Sequence, residues 1–129
     1  MRNVFDYEAK KHILAFITEG GHISGNLMKA IKFRSPKTIV KLQQKINEGV
    51  KIGDIFVIDN YIFIVIKRHY NSSIKNEHFE ILLNKIAPQL NNYQLKTTNE
   101  DYPKLRKIIE NYLPGIEYCD TSDWGTWKN

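Results

Sequence analysis

The sequence predicts an α/β domain: a mixed sheet covered by helices on both faces. Three observations carry that reading. His12–Thr18 (HILAFIT) is a nearly continuous apolar run with a β-branched end, the pattern of a strand buried on both faces. Asp54–Ile58 and Tyr61–Ile66 are β-rich runs separated by Asp59 and Asn60, two residues that tolerate the positive φ of a two-residue turn. Strand-like and helical stretches alternate in the order β–α–α–β–β–α–β–α–β, which favours crossover helices over a sheet.

Taken in order, Met1–Asp6 reads as a short edge strand and Tyr7–Lys11 as a turn. After the buried strand, Glu19–Asn26 carries Gly20, Gly21 and Gly25, which permit positive φ and close backbone approach. A helix follows from Asn26 to about Phe33. Ser35 is placed to N-cap a second helix with Pro36 at its first position, and Gly49 suits its C-terminal end. Beyond the hairpin, Glu77–Ile86 has Phe79, Leu82, Leu83 and Ile86 at helical spacing. Asn92–Thr98 reads as a strand, and Tyr102–Tyr112 as a helix with Pro103 in its first turn. Leu105, Ile108, Ile109 and Tyr112 point inward on it. Gly115–Asp120 reads as a last short strand. A single domain over residues 1–120 with a C-terminal tail at 121–129 follows from the 129-residue length.

Composition narrows the function classes. One cysteine, Cys119, permits neither an internal disulfide nor a Cys-cluster zinc site, and it suits a small core residue. No eighteen-residue apolar stretch and no apolar leader are present, so a cytoplasmic protein is expected, with no membrane contact. A sequence rich in Ile, Lys and Asn suits an AT-rich genome such as that of a bacterium or its phage. In the phage case the compartment is the host cytoplasm. The net charge is +5. It concentrates in Lys29, Lys32, Arg34, Lys37, Lys41, Lys45 and Lys51, set against Glu48 alone. That stretch reads as a solvated helix face or as a contact for phosphates or an acidic partner.

At this point a resemblance enters. Ile23-Ser-Gly-Asn-Leu-Met-Lys-Ala-Ile-Lys32 is similar to a loop of the macro domain's smaller branch, roughly Met-Gly-x-Gly-Ile-Ala-Lys-Ala-Ile. Lys51-Ile-Gly-Asp-Ile-Phe-Val-Ile58 and Tyr61–Lys67 resemble the strand pair that follows it, and Tyr70 stands where an aromatic residue often comes next. The resemblance spans Ala9–Asp120. It implies a macro-like three-layer α/β/α fold with a central mixed sheet, binding of ADP-ribose and, in many members, removal of ADP-ribose from targets. No cofactor and no metal are expected. Ser24 and Asn26 stand where the family has glycines, and no Gly-rich second phosphate loop follows Thr98. Asp123-Trp124 looks like that loop's ending, but it lies beyond the last helix and is not carried over. Backbone that approaches a pyrophosphate tolerates side chains poorly, so these departures count strongly against hydrolysis and less strongly against ADP-ribose affinity, and binding is expected ahead of hydrolysis.

The candidate ligand-binding residues are Thr18, Gly20, Gly21, Ser24, Gly25 and Asn26, with Lys67, Arg68 and Tyr70. The free N–H groups and positive dipole end of a helix start can hold a phosphate. Arg68 and Lys67 can grip it, and Tyr70 can stack on a base or ribose. The same loop would also serve as a plain strand-to-helix turn, and 67–70 as a polar strand end. Glu19 and His22 are candidates for a general acid/base pair or for two solvated loop residues. His12, His69 and His78 are scattered, with no metal-binding spacing. Trp124 and Trp127 either fold back on the core or contact a protein partner. Two further readings stand beside nucleotide binding: a protein-interaction domain that has lost its ligand, and a nucleic-acid binder using Lys29–Lys51.

Overall fold

The computed structural model describes residues 3–5, 11–22, 26–69, 74–98 and 105–119. Its elements are β1 (His12–Thr18), α1 (Asn26–Arg34), α2 (Pro36–Asn47), β2 (Ile55–Ile58), β3 (Tyr61–Lys67), α3 (Asn76–Ile86), β4 (Leu95–Thr98), α4 (Arg106–Tyr112) and β5 (Glu117–Cys119). A 3-10 turn at Ala87–Leu90 links α3 to β4. The order is the one the sequence predicts.

All five strands form one sheet in the order β2-β3-β1-β4-β5. β1 lies at its centre, parallel to β3 and β4; β5 is parallel to β4, while β2 runs antiparallel to β3. The sheet is therefore mixed. Because side chains alternate along a strand, the two central strands split cleanly between two cores. Ile13, Ala15 and Ile17 of β1, with Tyr61, Phe63 and Val65 of β3, pack against Leu27, Ile31 and Leu42 of α1 and α2. Leu14 and Phe16, with Ile62, Ile64 and Ile66, pack against Phe79, Leu83, Ile86 and Ile109 of α3 and α4. The architecture is three-layered, α/β/α. The apolar run of β1 reads as continuous because both of its faces are covered.

Local chemistry fixes the joints. Ser35 holds the N-cap position of α2 with Pro36 next, yet its hydroxyl makes no capping bond. It shares a 2.9 Å hydrogen bond with the Tyr61 hydroxyl, which is buried and needs a partner. The Ser35 carbonyl instead accepts the Thr38 N–H at 2.9 Å. Gly49, at φ +93, follows α2 in the left-handed region and donates its N–H to the Ile46 carbonyl. Asp59 adopts φ 55 in the hairpin turn. Its carboxylate accepts from the Thr38 hydroxyl and, at 2.8 Å, from the Lys41 ammonium, tying the hairpin to α2. Those two hydrogen bonds, Lys41's first, hold the Asp59 carboxyl below the usual range.

Several boundaries differ from the sequence reading. β4 starts at Leu95 rather than Asn92, because Tyr93 N–H closes a turn on the Leu90 carbonyl. β5 starts at Glu117 rather than Gly115, because Ile116 N–H closes a turn on Leu113. Asn3 makes a single bridge and Val4–Phe5 a turn where an edge strand was expected; the Asn3 amide oxygen accepts the Phe5 N–H at 2.8 Å and curls the chain. Leu105 is 3-10 and α4 begins at Arg106; Tyr102, Pro103, the turn expected at 7–10 and the tail 121–129 lie outside the described residues.

Candidate functional site

In open α/β sheets ligands settle outside the carboxyl ends of the strands, where neighbouring strands send their next helices to opposite faces. β1 meets that condition. It is followed by α1 on one face, while its neighbours β3 and β4 are followed by α3 and α4 on the other. A cleft of 380 Å³ opens at this end, lined by Thr18, Glu19, Gly20, His22, Arg68 and His69.

The register of β1 and β3 is irregular at this end. Ile17 faces Val65 but Thr18 faces Lys67, so one residue of β3 is extra at the strand ends. Thr18, 3% exposed, organises the turn that follows. Its N–H donates to the His22 carbonyl at 3.1 Å, its carbonyl accepts the Gly21 N–H at 2.9 Å, and its hydroxyl oxygen accepts the His22 N–H at 3.1 Å. Glu19 N–H donates to the Lys67 carbonyl at 3.0 Å, so the turn is pinned to the end of β3.

Two of the loop amides are thus committed inside the turn. The His22 N–H is bonded to the Thr18 hydroxyl oxygen, and Gly21 donates its own N–H to the Thr18 carbonyl. Its glycine identity has a structural cause: φ is +85, and a Cβ there would lie 3.0 Å from Ile46 Cγ1. Gly20 differs. It lines the cleft, a Cβ there would meet nothing nearer than Thr18 Oγ1 at 3.8 Å, and its N–H has no acceptor among the described residues.

Glu19 faces two groups. One carboxylate oxygen accepts the Ile52 N–H at 3.2 Å, and the other lies 3.7 Å from Arg68 Nε. Arg68 is 73% exposed. The pair therefore holds the guanidinium at the cleft's edge while leaving most of its donors in solvent. Lys67 contributes main chain to the turn and is not among the lining residues.

The structure thus brings Thr18, Glu19, Gly20, His22 and Arg68 to one cleft from two loops far apart in sequence. Ser24, Gly25 and Tyr70 lie outside the described residues; Asn26 is described as the first residue of α1. Trp124 and Trp127 also lie outside them. Sequence reasoning missed two contributors. His69 was passed over as scattered, although it follows Arg68 directly. The Ile52 amide carries no side-chain signature at all. Among the described residues, no group of three or more His, Cys, Asp or Glu side chains is placed to hold a metal ion, and no helix is long and apolar enough to cross a membrane.

No protein-family model matches the chain, and no curated protein does. Solved structures match it well. The macrodomain of Thermus aquaticus DarG superimposes with a TM-score of 0.68 at 15% identity, covering 93% of this chain and 94% of that one. The macrodomain of Mycobacterium tuberculosis DarG gives 0.62 at 14% identity, over 93% of this chain and 96% of that one. Thermosipho africanus DarTG in complex with ADP-ribose gives 0.63 at 14% identity, over 88% of this chain and 39% of that one. The fold of this chain is the macrodomain fold.

Proposed function

We propose that this chain is a cytoplasmic macrodomain-type module that binds ADP-ribose or a related phosphorylated nucleotide in the cleft at the ends of β1 and β3. The observation that carries the reading is the joining of the Thr18–His22 turn and Arg68 around one opening, at the strand ends where α/β sheets take ligands. The likeness in fold to a DarTG structure holding ADP-ribose supports the choice of ligand.

In this reading the diphosphate lies between the Gly20 N–H, the start of α1 and the Arg68 fork. Ser24, Gly25 and Asn26 border it, Lys67 adds positive potential, and Tyr70 meets the base or ribose. Glu19 orients Arg68. Binding is favoured over hydrolysis, because a base that activates water needs an uncommitted carboxylate and Glu19 spends its oxygens on Ile52 and Arg68. His22 would be the remaining candidate base.

Calorimetry with ADP-ribose tests the proposal. Saturable heat is expected, and Arg68→Ala should weaken binding roughly tenfold through loss of a charge-assisted contact. Absence of heat at millimolar ligand rejects it. Incubation with an ADP-ribosylated substrate tests the lesser claim; release of ADP-ribose abolished by His22→Ala would establish hydrolysis.

A further inference from the structure

The two outer layers of the molecule carry matching stripes of opposite charge. On α2, Lys37, Val40, Lys41 and Gln44 follow one another at spacings of three, one and three residues, a single face of the helix. On α3, Glu77, Glu80, Ile81 and Asn84 occupy one face in the same way. Each stripe has an exposed apolar residue at its middle: Val40 is 58% exposed and Ile81 67%. Each ends in an amide.

The acidic stripe is shaped. Glu77, Glu80, Ile81 and Asn84 line a shallow cleft of 290 Å³ together with Tyr112. The Tyr112 hydroxyl donates to the Glu80 carboxylate at 3.0 Å and fixes it. On the basic stripe, Lys37 has no ion pair among the described residues, and Lys41 stays 56% exposed although it pairs with Asp59. The stripes cannot meet within one molecule, because α2 packs on one face of the sheet and α3 on the other.

We infer that the α2 stripe of one copy docks on the α3 stripe of a second copy, head to tail. With the helices side by side in the same direction, Val40 meets Ile81 in the cleft, Lys37 and Lys41 meet Glu77 and Glu80, and Gln44 meets Asn84. The two patches differ, so the contact is heterologous and each copy keeps one stripe open for the next. The inference stands apart from the cleft at the strand ends.

Sedimentation velocity on the full chain over a concentration series tests it. The wild-type chain is expected to associate. The double variants Lys37→Glu/Lys41→Glu and Glu77→Lys/Glu80→Lys should each associate at least about tenfold more weakly, because each sets like charges face to face. An equimolar mixture of the two should recover association, since both junctions then join Lys to Glu. Circular dichroism confirms folding. Val40→Ser, which leaves every ion pair intact, should also weaken association. A wild-type chain that stays monomeric throughout overturns the inference, as does a double variant that associates like wild type. A monomeric chain that binds an oligonucleotide and loses it on Lys37→Glu/Lys41→Glu also overturns it, and assigns the α2 stripe to nucleic acid.

Discussion

Replacing Gly21 by alanine separates two effects that a glycine can conceal. At φ +85 any L-residue pays conformational strain, about 1–2 kcal/mol. The new Cβ also falls 3.0 Å from Ile46 Cγ1, a β-branched side chain with stiff χ1 inside a packed layer. Overpacking of that kind adds about 1–3 kcal/mol. Gly49 is the internal control: its φ of +93 demands similar strain, but a Cβ there meets nothing within 4 Å. The expected losses are therefore roughly 2–5 kcal/mol for Gly21→Ala and about 1–2 kcal/mol for Gly49→Ala. With a urea slope of about 2 kcal/mol/M, the unfolding midpoints fall by roughly 1–2.5 M and 0.5–1 M. Equal shifts for the two variants would refute the steric argument. Gly21→Ala should also disturb the turn that Thr18 holds and weaken ADP-ribose binding, whereas Gly49→Ala should leave affinity unchanged.

Four further outcomes are expected. Thr97→Val removes the 2.8 Å hydrogen bond from a buried hydroxyl to the Leu14 carbonyl at the sheet's centre, which should cost about 1–3 kcal/mol in urea unfolding, with nearly isosteric packing. Thr18→Val should weaken calorimetric ADP-ribose binding several-fold, about 5-fold or more, and Thr18→Ser should restore it, because the turn uses the hydroxyl oxygen and not the methyl. Asp59 has its carboxyl held low by Lys41 and Thr38, so its stabilisation is present above the unfolded carboxylate pKa and is lost as pH falls through the lower folded value. The gap in urea midpoint between wild type and Asp59→Asn should accordingly be full at neutral pH and close on acidification. Burial raises the Cys119 thiol to about 11, with the Glu117 charge next in effect, so Ellman's reagent should react slowly with the folded chain and rapidly once denaturant is added.

Much of the fold was legible because periodicity reports burial. His12–Thr18 could be read as a doubly buried central strand from its unbroken apolar run, and the hairpin from two β-rich runs around Asp59. The start of β4 was misplaced because Tyr93 is apolar in type, yet its ring packs edge-on against His12 from a turn. Ser35 was legible as a cap by position; the demand that a buried Tyr61 hydroxyl makes on it comes from a strand distant in sequence. The site was half legible. Residue type and spacing picked out Thr18, Glu19, Gly20, His22 and Arg68, but not that the Gly21 amide is bonded within the turn while Gly20 lines the cleft. That distinction depends on φ and on Ile46, and neither is written near Gly21. The Ile52 amide, as main chain, leaves no trace in residue type.

The centre of the sheet also bears on how the chain reaches its native state. β1 precedes both of its partner strands in the chain, yet Ile13 lies between Tyr61 on one side and Lys96 on the other. A nascent chain that has released only β1, α1 and α2 holds its central strand with both hydrogen-bonding edges open. Loop closure to β3 spans the two helices, and closure to β4 spans most of the described chain, so the centre of the sheet forms only after distant segments meet, which slows folding relative to a helical bundle of this size. The interval before β3 arrives is when this chain is most exposed to strand-mediated aggregation, and when a chaperone would find its clearest target.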